Sequence, residues 1–363
     1  MQILASGDRV GAYTLDRRIA VGGMGELWAA HDETDHEVAL KVLLPHIARD
    51  PMYRDMFIDE CRIAERLVHP NIIHSYGSRE EAGILLQVTE LVTGCDLRAL
   101  LAETKRADQV VPIPLAIRIG HGIASGLAHA HDVADEKGRP LDLVHRDITP
   151  ANILLDVSGR VLLIDFGIAK ARDRLSRTAT GVIKGKLGYL APEQLLGQPL
   201  TPAVDAFGLG IVLWEMFALR RLFTGGSELE VATLVHAQPA PSLASIRDDV
   251  PDAISDLVDG LLERDPEDRP NFLPAIAAEL AELLRQFPDE TSSPSALGTF
   301  VAGYTKRPAK TAQMPVPDLR AAPAPDLADT LRDPVEHPTI PVAAGTERDD
   351  TVPIPVPPKR TKA

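Results

Sequence analysis

The spacing of apolar residues changes near Thr93 and Gly94, and this change restricts the folds that the chain can adopt. Before it, apolar residues occur in short alternating or β-branched segments separated by turn residues, which predicts strands. Residues 51–68 are the exception, because they begin at a proline suited to a first helical turn and predict one helix. After Gly94 the segments are long and amphipathic, as in helices. The sequence therefore predicts an α+β fold, with a strand-rich part before a larger helical part.

A different composition begins at about Pro288. From there the chain is rich in Pro, Ala, Thr and Asp, has no regular apolar spacing and holds nearly half of the 30 prolines. Such a segment has too little apolar surface to offset the entropy of ordering it. We therefore expect residues 288–363 to form a disordered tail.

Charge and cysteine content exclude several functional classes. The formal net charge of −14 opposes general binding to nucleic acid or anionic membranes, which requires basic surface. The longest apolar stretch, around Glu215, is too short to span a bilayer, so no membrane insertion is expected. The two cysteines, Cys61 and Cys95, cannot form a disulfide framework, and the N-terminus has no signal-peptide pattern. These features predict a cytoplasmic protein.

Residues 19–30 (IAVGGMGELWAA) place glycines between the first two predicted strands. Gly22 and Gly25 form G-x-x-G, and Ala20 occupies the place of the first glycine in G-x-G-x-x-G. Glycines let backbone N–H groups approach phosphate oxygens closely, which is the functional interpretation. Two glycines between strands most often form an ordinary hairpin turn, so this stretch alone favours that interpretation and leaves the functional one open.

The next predicted strand carries a single lysine, and the helix after it carries a matching acid. Lys41 alternates with apolar neighbours in VALKVL, so it is either an edge lysine with a buried stem or an ammonium held for phosphate. The second role needs a carboxylate partner. Among the helix acids, Glu60 shares a 3-4-3 face with the apolar positions Phe57, Ala64 and Leu67. We therefore expect Glu60 to point towards the strands.

Two further stretches combine acids with an amide. Residues 144–155 (VHRDITPANILL) contain Asp147, which is able to accept a hydrogen bond from an incoming hydroxyl, and Asn152. In VLLIDFG, Asp165 follows an apolar strand and precedes a glycine. A carboxylate at a strand end is a good Mg²⁺ ligand, and Asn152 offers a neutral oxygen for the same ion. Taken alone, residues 144–155 are also compatible with an ordinary turn between strands.

The chain contains, in this order, a glycine loop, a lysine, a helix glutamate, an acid–amide pair and Asp-Phe-Gly. In this order of motifs the chain resembles the eukaryotic-type protein kinases. The GGMG loop is similar to that of their bacterial (Hanks-type) serine/threonine branch. The resemblance implies a bilobal protein kinase fold over residues 11–287, with a β-rich N-lobe (11–92) and a helical C-lobe (93–287). A flexible N-terminus (1–10) and the disordered tail would flank it.

The resemblance also assigns roles at the nucleotide. Lys41 would contact the α- and β-phosphates of ATP, and Glu60 would orient it. Asp147 would position the substrate hydroxyl, while Asn152 and Asp165 would hold Mg²⁺. The loop covering the ATP phosphates would comprise Val21, Gly22, Gly23, Met24 and Gly25.

Further matches concern the hinge and the support of the catalytic loop. Thr89 stands at the gatekeeper position, Glu90 and Val92 match the adenine-binding hinge, and Asp96 is placed to meet the ribose. Glu193 of Ala-Pro-Glu would pair with Arg269 as a structural ion pair. The catalytic loop would be anchored from the helix beneath it by Asp205.

The implied reaction is transfer of the ATP γ-phosphoryl group to a hydroxyl of a protein substrate. Arg146 supplies a cation for a phosphorylated activation loop, whose candidate acceptors are Ser176, Thr178 and Thr180. We hypothesise that Thr178 or Thr180 is autophosphorylated and then ordered by Arg146. Dimerisation would serve this autophosphorylation.

Two positions depart from the family pattern. Ala20 should stiffen the glycine loop modestly. Thr149 replaces a lysine that in the family contacts the γ-phosphoryl group, while Lys186 stands where most Ser/Thr kinases have a threonine. We hypothesise that the two identities are exchanged and that Lys186 delivers its ammonium to the same place. The alternative is that Lys186 is one more basic residue in a segment already containing Arg172, Arg174, Arg177 and Lys184.

Other functions remain as alternatives. A pseudokinase scaffold is opposed by the intact acids and Lys41, and a small-molecule phosphotransferase would lack the Ala-Pro-Glu segment. Tyrosine specificity is opposed by the absence of an arginine in residues 149–151. In the tail, three threonines have Asp, Val or Ile three residues later, a position that phosphothreonine-binding FHA domains read: Thr330, Thr339 and Thr351. Docking sites and a plain low-complexity linker both fit this pattern.

Overall fold

The computed structural model describes residues 4–81, 83–135, 137–166 and 186–305. Its N-terminal part is a six-stranded antiparallel sheet in the order β1-β2-β3-β4-β6-β5. The strands are β1 (Arg9–Val10), β2 (Tyr13–Val21), β3 (Gly25–His31), β4 (Glu37–Leu43), β5 (Ser75–Glu81) and β6 (Ile84–Glu90). Between β4 and β5 lie α1 (Pro45–Ala48) and α2 (Pro51–Ala64). The predicted strand-rich part with one principal helix is therefore observed.

Alternation along β4 explains how this sheet carries both a core and a functional group. Leu40 and Val42 are buried on one face with Trp28 and Val88. Lys41, between them, extends from the opposite face because successive side chains of a strand alternate. Helix α2 covers that side and buries Phe57 against β4 and β6. Its first turn is capped by Asp50, whose carboxylate accepts a hydrogen bond from Met52 N at 2.9 Å.

The second part of the fold is mainly helical. A small sheet in the order β7-β8-β9 joins it to the first part through β7 (Gly94–Asp96), β8 (Ile153–Asp156) and β9 (Val161–Leu163). The helices are α3 (Leu97–Arg106), α4 (Ile113–His131), α5 (Pro192–Leu195), α6 (Ala203–Ala218), α7 (Glu228–Ala237), α8 (Asp252–Leu261) and α9 (Leu273–Leu284). Helix α6 is buried from Ala203 to Phe217, so it forms the centre of this lobe.

The predicted start of the disordered tail at residue 288 is wrong. Residues beyond it form α10 (Asp289–Ser292) and α11 (Pro294–Thr305). Leu297 and Val301 are fully buried, because they lie on one face of α11 with the spacing that a helix requires. The Tyr304 hydroxyl donates to Gln109 Oε1 at 2.8 Å. Two of the prolines that suggested disorder, Pro288 and Pro294, stand at the starts of the two helices, where proline is tolerated. Residues 306–363 lie outside the described part of the chain.

The predicted flexible N-terminus of residues 1–10 is also wrong for its last residues. Arg9 and Val10 pair with β2, and Val10 is 1% exposed in the core of the first sheet. Gly7 N donates to Leu15 O at 2.7 Å, which holds the preceding turn as well. Among the residues that the structure describes, no helix is both long and apolar enough to cross a membrane.

Candidate active site

Lys41 is the meeting point of three segments that are distant in the sequence. Its Nζ lies 3.2 Å from Glu60 Oε1 of α2 and 2.9 Å from Asp165 Oδ1, which follows β9. The side chains of Lys41, Glu60 and Asp165 are 30%, 17% and 52% exposed, so the cluster borders an accessible cleft. Burial alone would lower the pKa of Lys41, but the carboxylates of Asp165 and Glu60 raise it above its ordinary value. The ammonium is therefore held in its charged form.

Asp165 adopts an unusual backbone conformation. Its φ is 53°, in the left-handed region that non-glycine residues rarely enter and that concentrates at functional sites. The flanking residues are fixed: Ile164 N donates to Asn152 O at 3.1 Å, and Ile164 O lies 3.1 Å from His145 Nε2. The His145 ring packs at 4.5 Å from Phe166. These contacts maintain the strained turn that directs Asp165 towards Lys41.

Asp147 and Asn152 form a compact, buried pair in the catalytic loop. Asn152 Nδ2 donates to both the carbonyl oxygen and Oδ2 of Asp147, each at 2.8 Å. A short 3-10 helix, Pro150–Asn152, keeps the amide close to the acid. Asp147 is 6% exposed and Asn152 is 8% exposed. The loop thus presents a carboxylate whose orientation is fixed by its neighbour.

Asp205 anchors this loop from α6. Its carboxylate accepts hydrogen bonds from His145 N at 2.8 Å and from Arg146 N at 2.7 Å. His131 Nε2 of α4 lies 2.8 Å from the same group. Asp205 is fully buried, so three hydrogen-bonding partners stabilise the backbone immediately before Asp147.

The two residues of the proposed exchange have different surroundings. Lys186 Nζ is 2.9 Å from Asp147 Oδ2, and the Lys186 side chain is 46% exposed. Thr149 is 4% exposed, and its hydroxyl oxygen has no hydrogen-bond partner among the described residues. The structure therefore brings the Lys186 ammonium to the Asp147 carboxylate. It leaves the Thr149 hydroxyl buried and without a partner among the residues that the structure describes.

Glu193 and Arg269 form a fully buried bidentate ion pair. The two Glu193–Arg269 contacts are 2.7 and 3.2 Å long. Arg269 also donates to the carbonyl oxygens of Glu263, Arg264 and Ala203, and its guanidinium lies over the Phe207 ring. Every donor direction of the guanidinium is thus used within the protein, as in a structural pair.

The glycine-containing segment forms the turn between β2 and β3. Gly22 N donates to Gly25 O at 2.8 Å. A Cβ atom at Gly25 would lie 2.4 Å from Val42 O, so close approach to β4 already requires glycine there. A Cβ at Gly23 would meet nothing within 4 Å, and Val21 and Met24 are exposed. The segment is a hairpin with an open tip, and its contact with phosphate stays a prediction.

The hinge residues lie at the end of β6 and just beyond it. Thr89 pairs with Ala39 of β4, and Val92 is half-buried just beyond the strand. The Glu90 carboxylate accepts a hydrogen bond from His74 N at 3.0 Å and lies 2.8 Å from Arg160 Nη1. Its side chain is thus engaged by the protein, and its backbone N–H donates to His74 O at 3.0 Å, so the contact of Glu90 with adenine stays a prediction.

The structure describes Asp96 and Arg146 but not the predicted phosphorylation sites. Asp96 caps α3 by accepting a hydrogen bond from Ala99 N at 2.8 Å, and its ribose contact stays a prediction. Arg146 has a buried Nε with no partner among the described residues. The predicted phosphorylation sites lie outside the described part: Ser176, Thr178 and Thr180.

Sequence reasoning missed three residues that support this site. His145 packs on Phe166, and Gln194 Nε2 donates to Arg146 O at 3.1 Å. Arg160 joins the hinge to the turn between β8 and β9 through Glu90 and Asp156. His145 stands inside the loop already singled out, so its position was a usable signal. Gln194 and Arg160 carry no pattern in the sequence, because their partners are brought close only by the fold.

Asp165 contacts Lys41 of the β-rich lobe, and Asn152 joins the Asp147 loop to the residue before Asp165. A β-rich lobe and a helical lobe joined in this way define the protein kinase class. The family described as "protein kinase domain" matches residues 13–281. The chain belongs to this protein kinase family, and its relatives include bacterial Hanks-type serine/threonine kinases.

Individual relatives differ in their named specificity. The chain is 35% identical over 315 residues to the serine/threonine-protein kinase PknA of Mycobacterium tuberculosis, covering 82% of this chain and 68% of that protein. It is also 35% identical to the tyrosine-protein kinase MasK of Myxococcus xanthus, covering 85% of this chain and 48% of that protein. The chain thus spans about half the length of the Myxococcus relative. The crystal structure of the M. tuberculosis PknI kinase domain is similar, with 29% identity, a TM-score of 0.58 and coverage of 77% of this chain and 99% of that one.

Proposed function

We propose that this chain is a protein serine/threonine kinase that transfers the ATP γ-phosphoryl group to hydroxyls of protein substrates. One observation carries the proposal: Lys41 is held by both Glu60 and Asp165, and Asn152 joins the loop of Asp147 to the residue before Asp165. Phosphoryl transfer asks a protein mainly for positioning and charge neutralisation, and this cluster provides both. The pseudokinase alternative has no support, since every one of these groups is present and oriented.

The donor set fits ATP with Mg²⁺. Asp165 is a half-exposed carboxylate, and Asn152 uses its amide nitrogen on Asp147, which leaves the amide oxygen as the atom for a metal. Mg²⁺ favours a coordination shell in which one or two oxygens come from the protein and others come from phosphate groups. Bound Mg²⁺ would supply neutralisation of phosphate charge as a Lewis acid. Lys41 would add its ammonium to the phosphates, and its raised pKa keeps that charge at physiological pH.

The chain's own residues account for the acceptor side of the reaction. Asp147 accepts a hydrogen bond from the substrate hydroxyl and takes its proton as the new P–O bond forms and ADP departs. Asn152 and the Asp205-anchored backbone keep the Asp147 carboxylate in one orientation. Because the acid is nearly buried, bulk water is kept from competing with the hydroxyl.

We also propose that activation-loop autophosphorylation, aided by dimerisation, activates the enzyme. The support is Arg146, whose buried Nε lacks a partner among the described residues and suits a phosphate on Thr178 or Thr180. Activity of the Thr178→Ala/Thr180→Ala double variant should fall at least tenfold, and unchanged activity would refute this proposal. Ser176→Ala is the matched control, because it removes a hydroxyl from the same segment.

Location and partners are proposed on narrower grounds. Both cysteines, Cys61 and Cys95, are free, which fits the reducing cytoplasm. Thr330, Thr339 and Thr351 are proposed docking sites for FHA domains after phosphorylation, on the basis of the residues at their third following positions. Binding of an FHA domain should disappear when phosphatase removes phosphate from these threonines.

Incubation with labelled ATP, Mg²⁺ and a generic protein substrate tests the main proposal. Phosphoamino-acid analysis should find phosphoserine and phosphothreonine, and Asp147→Asn should abolish the label. Phosphotyrosine is the second candidate product, because one relative at 35% identity is named a tyrosine-protein kinase. Label confined to tyrosine would overturn the serine/threonine assignment, and no transfer at all would overturn the kinase assignment.

A further inference from the structure

Lys186 stands at a fixed point of the backbone beside Asp147. It directly precedes a short 3-10 helix, Leu187–Tyr189, and Tyr189 N donates to Lys186 O at 3.0 Å. The Tyr189 hydroxyl donates to the buried Glu215 at 2.7 Å, which ties this turn to α6. The Lys186 side chain therefore projects from an anchored position rather than from an unconstrained one.

Its ammonium lies where charge develops during phosphoryl transfer. Lys186 Nζ is 2.9 Å from Asp147 Oδ2, and Asn152 Nδ2 is 2.8 Å from the same oxygen. A hydroxyl bound to Asp147 must place its oxygen in line with the γ-phosphorus, so the γ-phosphoryl oxygens come within a few bond lengths of this carboxylate. The Lys186 side chain is 46% exposed while that of Asp147 is 5% exposed, so the lysine stays open to solvent while it contacts the buried carboxylate.

Thr149 supplies an independent observation. Its hydroxyl oxygen is buried two residues after Asp147 in the same loop and has no hydrogen-bond partner among the described residues. Buried polar atoms without partners are rare and often mark places where a ligand completes the network. The loop of Asp147 thus carries a buried hydroxyl, and the cation that contacts Asp147 comes from the Lys186 turn.

We infer that Lys186 is a catalytic residue whose ammonium contacts the γ-phosphoryl group, and that Thr149 and Lys186 together replace a lysine and a threonine in exchanged positions. The inference rests on the proposed kinase function and assigns a residue to its transition state. A purely structural pairing with Asp147 is the competing interpretation. That interpretation predicts that removing the Lys186 charge changes the affinities for a nucleotide with a γ-phosphate and for one without it to the same extent.

Nucleotide affinity separates the two interpretations without turnover. Calorimetry on the full chain measures Mg²⁺ complexes of ADP and of an ATP analogue with a non-hydrolysable β,γ-bridge. Lys186→Met should lower the affinity for the triphosphate analogue about tenfold and the affinity for ADP less than about twofold. Only the triphosphate analogue carries the γ-phosphate group that Lys186 contacts. Lys184→Met, which removes the same charge two residues earlier, should change neither. Equal losses for both nucleotides, no loss, or the same selectivity in Lys184→Met would overturn the inference.

A double-mutant cycle tests the exchange in turnover. Lys186→Thr removes the cation and Thr149→Lys adds a second one near Asp147, so each single variant should lose about 100-fold in kcat. In the double variant one cation and one hydroxyl are present again, and kcat should exceed the product of the single effects at least tenfold. A double variant no better than that product overturns the exchange.

Failure of this inference is distinguishable from failure of the proposed function. If the wild-type chain transfers phosphate and the cycle is additive, only the exchange is lost. If the wild-type chain transfers none, the kinase assignment fails, and the nucleotide affinities still decide whether Lys186 contacts a γ-phosphate. Thermal unfolding of every variant checks folding. Lys186→Gln provides a second neutral variant, expected to reproduce the Lys186→Met selectivity.

Discussion

Two clusters of opposite charges in this protein use the same chemistry in different surroundings. In the helical lobe, the side chains of Arg269 and Glu193 are 0% and 1% exposed, and backbone carbonyls occupy the remaining donors of the guanidinium. In the cleft, the side chains of Lys41 and Asp165 are 30% and 52% exposed. The first cluster has no surface left for a ligand, whereas the second presents charge to the cleft. Burial, rather than ion pairing itself, separates the structural cluster from the functional one.

The contacts of each cluster agree with this division. Arg269 joins Glu193 to the segment before α9 and to the start of α6, all within one lobe. Lys41 joins a strand of the first lobe to Asp165, which is 124 residues away in the sequence. A pair within one lobe stabilises that lobe. A cluster at the junction of the lobes is sensitive to their relative position and therefore to a ligand bound in the cleft.

The largest effect on stability is expected from breaking the buried pair. Arg269→Met leaves the Glu193 carboxylate buried without its partner, which should lower the free energy of unfolding by about 3–5 kcal/mol. Urea denaturation followed by circular dichroism measures this change. The Glu193→Gln/Arg269→Met double variant is the matched control, and it should lose less because no uncompensated charge remains. A loss below about 1 kcal/mol in Arg269→Met would contradict the structural assignment.

Lys41→Met should produce the opposite pattern. Its phosphoryl-transfer rate should fall at least about 100-fold, because a preorganised cation at the phosphates is lost. The free energy of unfolding should change by no more than about 1 kcal/mol, since Glu60 and Asp165 retain access to water. Lys105→Met, which removes an exposed lysine from α3, should leave both quantities unchanged. A stability loss as large as that of Arg269→Met would remove the distinction between the clusters.

Local patterns predicted the cleft cluster well. Glu60 was identified by its helical face, since a 3-4-3 spacing determines which side chains point the same way before any tertiary contact is known. Asp147, Asn152 and Asp165 lie in short motifs whose order is itself informative. Their chemistry, however, depends on long-range contacts such as the 2.9 Å approach of Lys186 to Asp147, which spacing alone left as a hypothesis.

Composition misled the prediction for the C-terminal region. The apolar residues of α11 have a helical period, but the surrounding prolines and alanines made residues 288–305 look like the rest of the tail. Whether such a short amphipathic segment folds depends on a complementary surface. Here that surface is formed by α3 and the paired strands β7 and β8, which contact α11, and by α4, which contacts α10. No pattern within the segment encodes this surface.

Leu297 sharpens the comparison because it is as buried as Arg269 but carries no charge. Leu297→Ala should lower the free energy of unfolding by about 3 kcal/mol, through lost apolar burial and the cavity that remains. Nucleotide affinity should stay within twofold of that of the wild-type chain. Ser295→Ala, at an exposed position of the same helix, is the control. If Leu297→Ala leaves stability unchanged, α11 is not part of the folded domain, and the predicted tail boundary would be restored.

The smallest effect is expected at an intermediate case, the Arg160 pair. Arg160 lies 2.8 Å from Glu90 and 2.6 Å from Asp156, but its side chain is 43% exposed. Arg160→Ala should therefore lower the free energy of unfolding by less than about 1 kcal/mol. In about 1 M salt, where the Debye length is about 3 Å, the difference from wild type should shrink further because these exposed charges are screened. His74 N still holds the Glu90 carboxylate, so nucleotide affinity should change less than twofold. A loss comparable to that of Arg269→Met, persisting in high salt, would show that exposure does not rank these ion pairs and that burial does not separate the structural cluster from the functional one.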